Sequence, residues 1–182
     1  MSPLRFLGWI LAALIGLILV AALAFNLYGR EASWAALFGP ADLGPYDFNQ
    51  PTRSGKLNDT LACPPDACAK GLPDLETPHY QIAAPALFEI ARQVVAKLPG
   101  KSQLIGANPV GMRLRAVVYS PAIRIPSTVS VMVEPTSDGG ADLYVYSRSQ
   151  IGYYDMGRNT ANIVGLMDGI AKAIAVPPAA KP

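Results

Sequence analysis

The stretch Leu143-Tyr-Val-Tyr-Ser-Arg-Ser-Gln-Ile-Gly-Tyr-Tyr-Asp-Met-Gly-Arg-Asn159 decides the fold, because it leaves a sheet and enters a helix. Successive side chains of a strand face opposite sides. Leu143 and Val145 therefore point one way, and Tyr144, Tyr146 and Arg148 the other. Gly152 and Gly157 fall where a β-carbon would hinder the turn, and Asn159 reads as the N-cap of the next element.

Downstream, Ile163, Leu166, Met167, Ile170 and Ile174 form one apolar helical stripe, which Pro177-Pro178 ends. The tail, residues 177–182, is expected to be disordered. Upstream, Ser137-Asp-Gly-Gly140 marks a hairpin turn. It joins the stretch to Ser127–Glu134, whose Val129, Val131 and Val133 point inward while Ser130 and Met132 point outward. Gly111–Tyr119 is a weaker strand with Arg113 and Arg115 on one face. Before it, Leu87, Ile90, Ala91, Val94 and Leu98 share the face of a helix over Ala84–Leu98, which Pro99-Gly100 closes. The sum is an α+β domain over residues 77–176: an antiparallel sheet of three to four strands packed by two helices. Its second sheet face is expected to be open to solvent or a partner.

The chain has 182 residues, 51% of them hydrophobic and 15% charged. One segment supplies the apolar excess: Phe6–Gly29 carries no charge and is flanked by Arg5 and Arg30. As a helix it would be roughly 36 Å long, enough to cross a hydrocarbon core of about 30 Å. Residues 1–30 therefore read as a transmembrane anchor, with 6–29 in the bilayer and Trp9 and Tyr28 at its interfaces. A signal peptide cleaved near Ala22-Leu-Ala24 is the alternative, against which the length of the run argues. The N-terminal flank is too short to carry a domain, so the N-terminus is expected to be cytoplasmic and the domain periplasmic, at a bacterial inner membrane. Residues 31–76 read as a juxtamembrane helix, Ala32–Phe38 halted by Gly39-Pro40, and then an extended linker.

Of the 15 Lys and Arg residues, Arg5 and Arg30 flank the anchor, which leaves 13 against 13 Asp and Glu. The remainder is neutral and has no dense basic patch, which excludes a nucleic-acid partner. The linker carries the only two cysteines, in Cys63-Pro-Pro-Asp-Ala-Cys68. With one His in the chain and no further Cys, this spacing offers too few ligands for zinc, and no metal or cofactor is assigned. A structural disulfide fits an oxidising compartment and would contribute roughly 2–3 kcal/mol by closing a short loop.

Three segments, Leu61-Ala-Cys-Pro-Pro-Asp-Ala-Cys68, Tyr119-Ser-Pro-Ala-Ile-Arg-Ile-Pro126 and Ser147–Asn159, together resemble the DUF1499 family. The resemblance spans about Leu57 to Ile174, and the last segment is its most specific part. It implies the fold and an exported or membrane-anchored setting; the family carries no established activity.

No catalytic residue is assigned. His79, the only histidine, sits in Thr77-Pro-His-Tyr80 without a nucleophile motif, and Asp155 in its Gly-bracketed turn suits backbone hydrogen bonds. The outward row of Arg113, Arg115, Tyr144, Tyr146 and Arg148 could hold an anion or a partner. Tyr154, Asp155 and Asn159 complete the candidate binding set. Three functions follow: a non-catalytic interaction module, as accessory subunit or assembly factor of an inner-membrane complex with a membrane-protein partner; a lipid-headgroup or small-ligand binder using the Arg/Tyr face; and a hydrolase centred on His79 and Asp155.

Overall fold

The computed structural model describes residues 2–175, so the tail expected to be disordered lies outside the described residues. Contacts divide the chain into one unit up to Gly39 and another from Pro40 onward.

The first unit is helical. α1 (Pro3–Tyr28) is a 26-residue helix with no buried side chain, long and apolar enough to cross a bilayer. Gly29, at φ 97°, breaks it, and α2 (Arg30–Phe38) follows. Trp34 packs edge-on against Phe25 of α1, with ring centroids 5.1 Å apart, and lies 5.8 Å from Phe38. Gly39 ends α2, where the sequence places the stop.

The second unit is α+β, and its sheet is larger than expected. Six strands run in the order β2-β1-β6-β5-β4-β3, where β1 is Asp59–Cys63, β2 Leu75–Glu76, β3 Lys101–Asn108, β4 Arg113–Tyr119, β5 Pro126–Pro135 and β6 Ala141–Ser149. All neighbours are antiparallel except β1 and β2, so the sheet is mixed rather than purely antiparallel. The three strands read from the sequence are β4, β5 and β6. The three unread ones lack an alternating pattern. Every residue of β1 is buried, β2 has two residues, and β3 is an edge strand with a register shift between Leu104 and Gly106.

α3 (Ala84–Val95) and α4 (Arg158–Ala175) lie on one sheet face. The inward valines of β5 meet Leu143 and Val145 of β6, and Leu87, Ala91, Ile163, Leu166 and Ile170 close over them. Each fully buried large side chain contributes about 1.5–3 kcal/mol.

The second sheet face is not open, contrary to expectation. The segment 40–53 runs across it, and Tyr46 and Phe48 form with Leu61, Cys63, Met132 and Tyr146 a second, smaller core. Cys63 and Cys68 are disulfide-bonded at its margin. His79 ties the entry of α3 to the β5–β6 hairpin: its ring nitrogens lie 2.9 Å from Asp142 and 3.0 Å from Asp138. A β-carbon on Gly140 would stand 2.6 Å from that ring, so the hairpin admits only glycine there.

Two glycines of α4 give opposite expectations. A β-carbon at Gly165 would make ordinary contact with Leu98, at 3.5 Å, whereas one at Gly169 would stand 2.3 Å from Val94 Cγ1, on a stiff side chain. Ala is favoured over Gly in a helix by about 0.5–1 kcal/mol. Gly165→Ala should therefore raise the melting temperature of the purified protein, and Gly169→Ala should lower it.

Candidate functional site

The eight candidate binding residues fall into two places. Arg113, Arg115, Tyr144, Tyr146 and Arg148 do share the sheet face opposite the helices, but the chain itself covers most of that face, leaving Arg113 exposed beside a cavity of about 310 Å³. Tyr146 stacks under Tyr46 at 3.8 Å and 15°, and Tyr144 meets Phe48 edge-on at 5.9 Å. Arg115 Nη2 donates to Asp42 at 2.9 Å. Its Nε is 2.8 Å from the same carboxylate, close enough for charge attraction but not aligned as a hydrogen bond. Thr128 accepts the Leu43 N–H at 2.9 Å and donates to the Ala41 carbonyl at 3.2 Å. The Arg/Tyr row is thus largely the seat of a strap.

One buried carboxylate fastens the strap. Asp59 accepts the Tyr146 hydroxyl at 2.8 Å, two N–H groups of Arg53 at 3.1 and 2.8 Å, and the Ser54 backbone N–H. Burial alone would raise its pKa. The hydrogen bonds from Arg53, Ser54 and Tyr146 outweigh it and hold Asp59 below the usual carboxylate range. Burial, reinforced by Asp59, drives the Tyr146 phenol far up, and burial pushes Tyr46 up to about 12. Beneath the strap remains a cavity of about 290 Å³ that Tyr46, Asp47, Arg53, Tyr146 and Arg148 help to line. Of its cations, Arg53 is committed to Asp59 and Asp74, whereas Arg148 lines the wall with its Nε buried and not hydrogen-bonded among the described residues.

The other three residues lie at one end of the sheet, where the β4–β5 loop (residues 120–125) and the β6–α4 loop (residues 150–157) face each other. Between them is a cavity of about 450 Å³, with Pro121, Ile123, Ile125, Ile151, Tyr154 and Met156 as walls and Asp155 and Arg158 as its charged members. That volume lies within the roughly 300–1,000 Å³ common to small-ligand pockets. Positive φ at Gly152 (92°), Met156 (56°) and Gly157 (75°) folds the second loop back, as the glycine positions suggested.

Asp155 bonds backbone N–H groups as expected, but Asn159 is not the N-cap. α4 begins at Arg158, so Asn159 is already inside the helix and fully buried. Asp155 does the capping: Oδ1 accepts the Gly157 N–H at 3.0 Å and Oδ2 the Asn159 N–H at 2.8 Å. Asn159 Oδ1 accepts the Ser147 hydroxyl at 2.7 Å, and Nδ2 donates to the Asn58 carbonyl at 2.7 Å and to Ser149 Oγ at 3.0 Å. Asn58 in turn donates to the carbonyls of Ser149, at 3.2 Å, and Gly152, at 2.9 Å. The β6–α4 loop is therefore bolted to the sheet through buried amides.

The family match rests on these same parts. The family described as Protein of unknown function (DUF1499) matches residues 55–170. The chain belongs to the DUF1499 family. Among curated proteins, none matches it. Both loops of the cavity and the Asn58–Asn159 bolt fall inside the DUF1499 region, while Asp42, Tyr46, Phe48 and Arg53 of the strap precede it.

Sequence reading passed over Arg53, Asp59, Tyr46 and Arg158. The alternation of Tyr46 and Phe48 was the available signal for the strap. Arg158 gave none, because an Arg in the first turn of a helix ordinarily reads as solvated. Among the described residues, no three His, Cys, Asp or Glu side chains are grouped to hold a metal ion.

Because Asp59 is held below its ordinary pKa, its contribution to folding is present above that value, about 4, and lost as pH falls through the lower folded pKa. Hydrogen exchange of residues 41–53, taken relative to the intrinsic rate at each pH, should accelerate upon acidification below about pH 4 ahead of β5. In Asp59→Asn it should be fast already at pH 7. Equal protection in both proteins would contradict the fastening.

Proposed function

We propose that the protein is a membrane-anchored, non-catalytic interaction module whose domain stands on the periplasmic side of a bacterial inner membrane, as an accessory subunit or assembly factor of a membrane-protein complex. The observation that carries this reading is an exposed apolar cluster on the two facing loops: Met156 is 86% exposed, Tyr153 64%, Tyr154 62% and Ile123 52%. Soluble surfaces tolerate scattered apolar side chains, but a cluster mounted on a rigidly bolted loop marks a contact surface. The long apolar α1 supports a tether in the bilayer, and the Cys63–Cys68 disulfide supports an oxidising compartment.

The alternative, a lipid-headgroup or ligand site on the Arg/Tyr face, loses support because the strap and Asp42 occupy that face. A hydrolase centred on His79 and Asp155 loses support as well. His79 binds Asp138 and Asp142, with no hydrogen bond to Asp155, whose carboxylate caps α4.

Purification of the full-length chain from crosslinked membranes in mild detergent should recover one membrane protein in stoichiometric amount. Tyr153→Ser combined with Met156→Ser should reduce that recovery roughly tenfold or more, as for loss of apolar anchors from a contact centre. A lone monomer, or recovery unchanged by the double substitution, would contradict the proposal.

A further inference from the structure

Arg158 is placed where burial and the helix dipole both disfavour its charge. It is half-buried, and its Nε and Nη2 are buried with no hydrogen-bond partner among the described residues. It stands at the first position of α4, an 18-residue helix whose N-terminal end carries partial positive charge and disfavours a cation. The carboxylate close by, Asp155, makes no side-chain hydrogen bond to it. Asp155 has Oδ1 committed to the Gly157 N–H and Oδ2 to the Asn159 backbone and side-chain N–H groups. Burial accordingly lowers the Arg158 pKa, and Asp155 offsets this only in part. Buried N–H donors left without a partner cost stability.

The cavity it lines is mostly apolar, walled by Ile123, Ile125, Ile151 and Met156, with Asp155, already engaged in capping α4, as its one carboxylate. A guanidinium is a planar fork matched to carboxylate and phosphate oxygens. An anion seated here would face the Arg158 guanidinium, whose unbonded N–H groups could turn toward it, while a hydrocarbon chain attached to it would cover the apolar walls.

We propose that this cavity binds an amphiphile with an acyl chain and an anionic head, carboxylate or phosphate, held by Arg158. The site is separate from the Arg/Tyr face and goes beyond the partner reading: a ligand can bind whether or not a protein docks on the rim. A free fatty acid and a lysophospholipid share the required chemistry.

The test uses the full-length chain in phosphatidylcholine nanodiscs with a diazirine-bearing palmitate. Light should attach the probe to peptides containing residues 121–125 or 151–156, saturably and at one per chain. Oleate and lysophosphatidic acid compete to different extents according to which head the site prefers, and uncharged oleyl alcohol competes roughly tenfold less well, as expected for loss of one charge-assisted contact. Arg158→Gln should weaken labelling by a similar factor and Arg158→Lys by less, with hydrogen exchange of α4 showing both variants folded. Labelling confined to α1, or labelling equal in Arg158→Gln and the unsubstituted chain, would overturn the proposal. Labelling without a co-purifying protein would leave this site standing and remove the partner reading, and the converse result would do the opposite.

Discussion

A single buried side-chain amide holds one end of this domain's sheet together. Asn159 reaches β6 through Ser147 and Ser149, the lead into β1 through the Asn58 carbonyl, and the loop ahead of its own helix through Asp155. Each buried polar group left without its partner would cost about 1–3 kcal/mol. The network is self-consistent only when β1, β6 and α4 all stand where they are. Ser127, bonded to Ser149 at 3.0 Å, and Asn162, bonded to Ser147 at 3.3 Å, extend it into β5 and the next turn of α4. The loop that walls the cavity is thus irregular in backbone yet fixed at both ends.

The two sheet faces are closed by different means. One is covered by helices with aliphatic stripes and needs little beyond shape. The other is covered by a strap with two aromatic anchors, a 3.8 Å ring stack and a buried carboxylate. So few apolar contacts require polar fasteners, and Asp59 with Arg53 supplies them. Outward tyrosines and arginines on a strand, which read as a binding surface, here receive the chain's own N-terminal extension. The largest cavity described lies at the end of the sheet, where two loops meet and the strap does not reach.

Elements with a period were legible, and elements fixed by long-range contacts were not. Leu87, Ala91 and their neighbours announced α3, Ile163 to Ile174 announced α4, and the valines of β5 announced the central hairpin. β1 is buried on both faces, so no alternation marks it, and the parallel pairing of Ala62 with Leu75 depends on a chain reversal that includes the disulfide loop. The facing of the Arg/Tyr row was read correctly from the two-residue repeat, but its burial was not, because burial depends on where residues 40–53 travel. Asp155 and Asn159 were both recognised as backbone-binding types. Which one caps α4 is decided by the positive φ of Met156 and Gly157, one turn ahead of the buried amide. Arg158 stayed hidden because only the opposing loop makes it a cavity residue.

The central claim is that Asn159 bolts the β6–α4 loop, and hydrogen exchange of Asn159→Leu against the unsubstituted protein tests it most directly. That substitution keeps the side-chain bulk but removes the amide's bonds to the Asn58 carbonyl and Ser149 and takes away the acceptor of the Ser147 hydroxyl. Residues 150–158 should lose protection by roughly tenfold or more, while the paired centres of β4 and β5 stay protected. Protection of the loop left unchanged, or lost equally across the whole sheet, would contradict it.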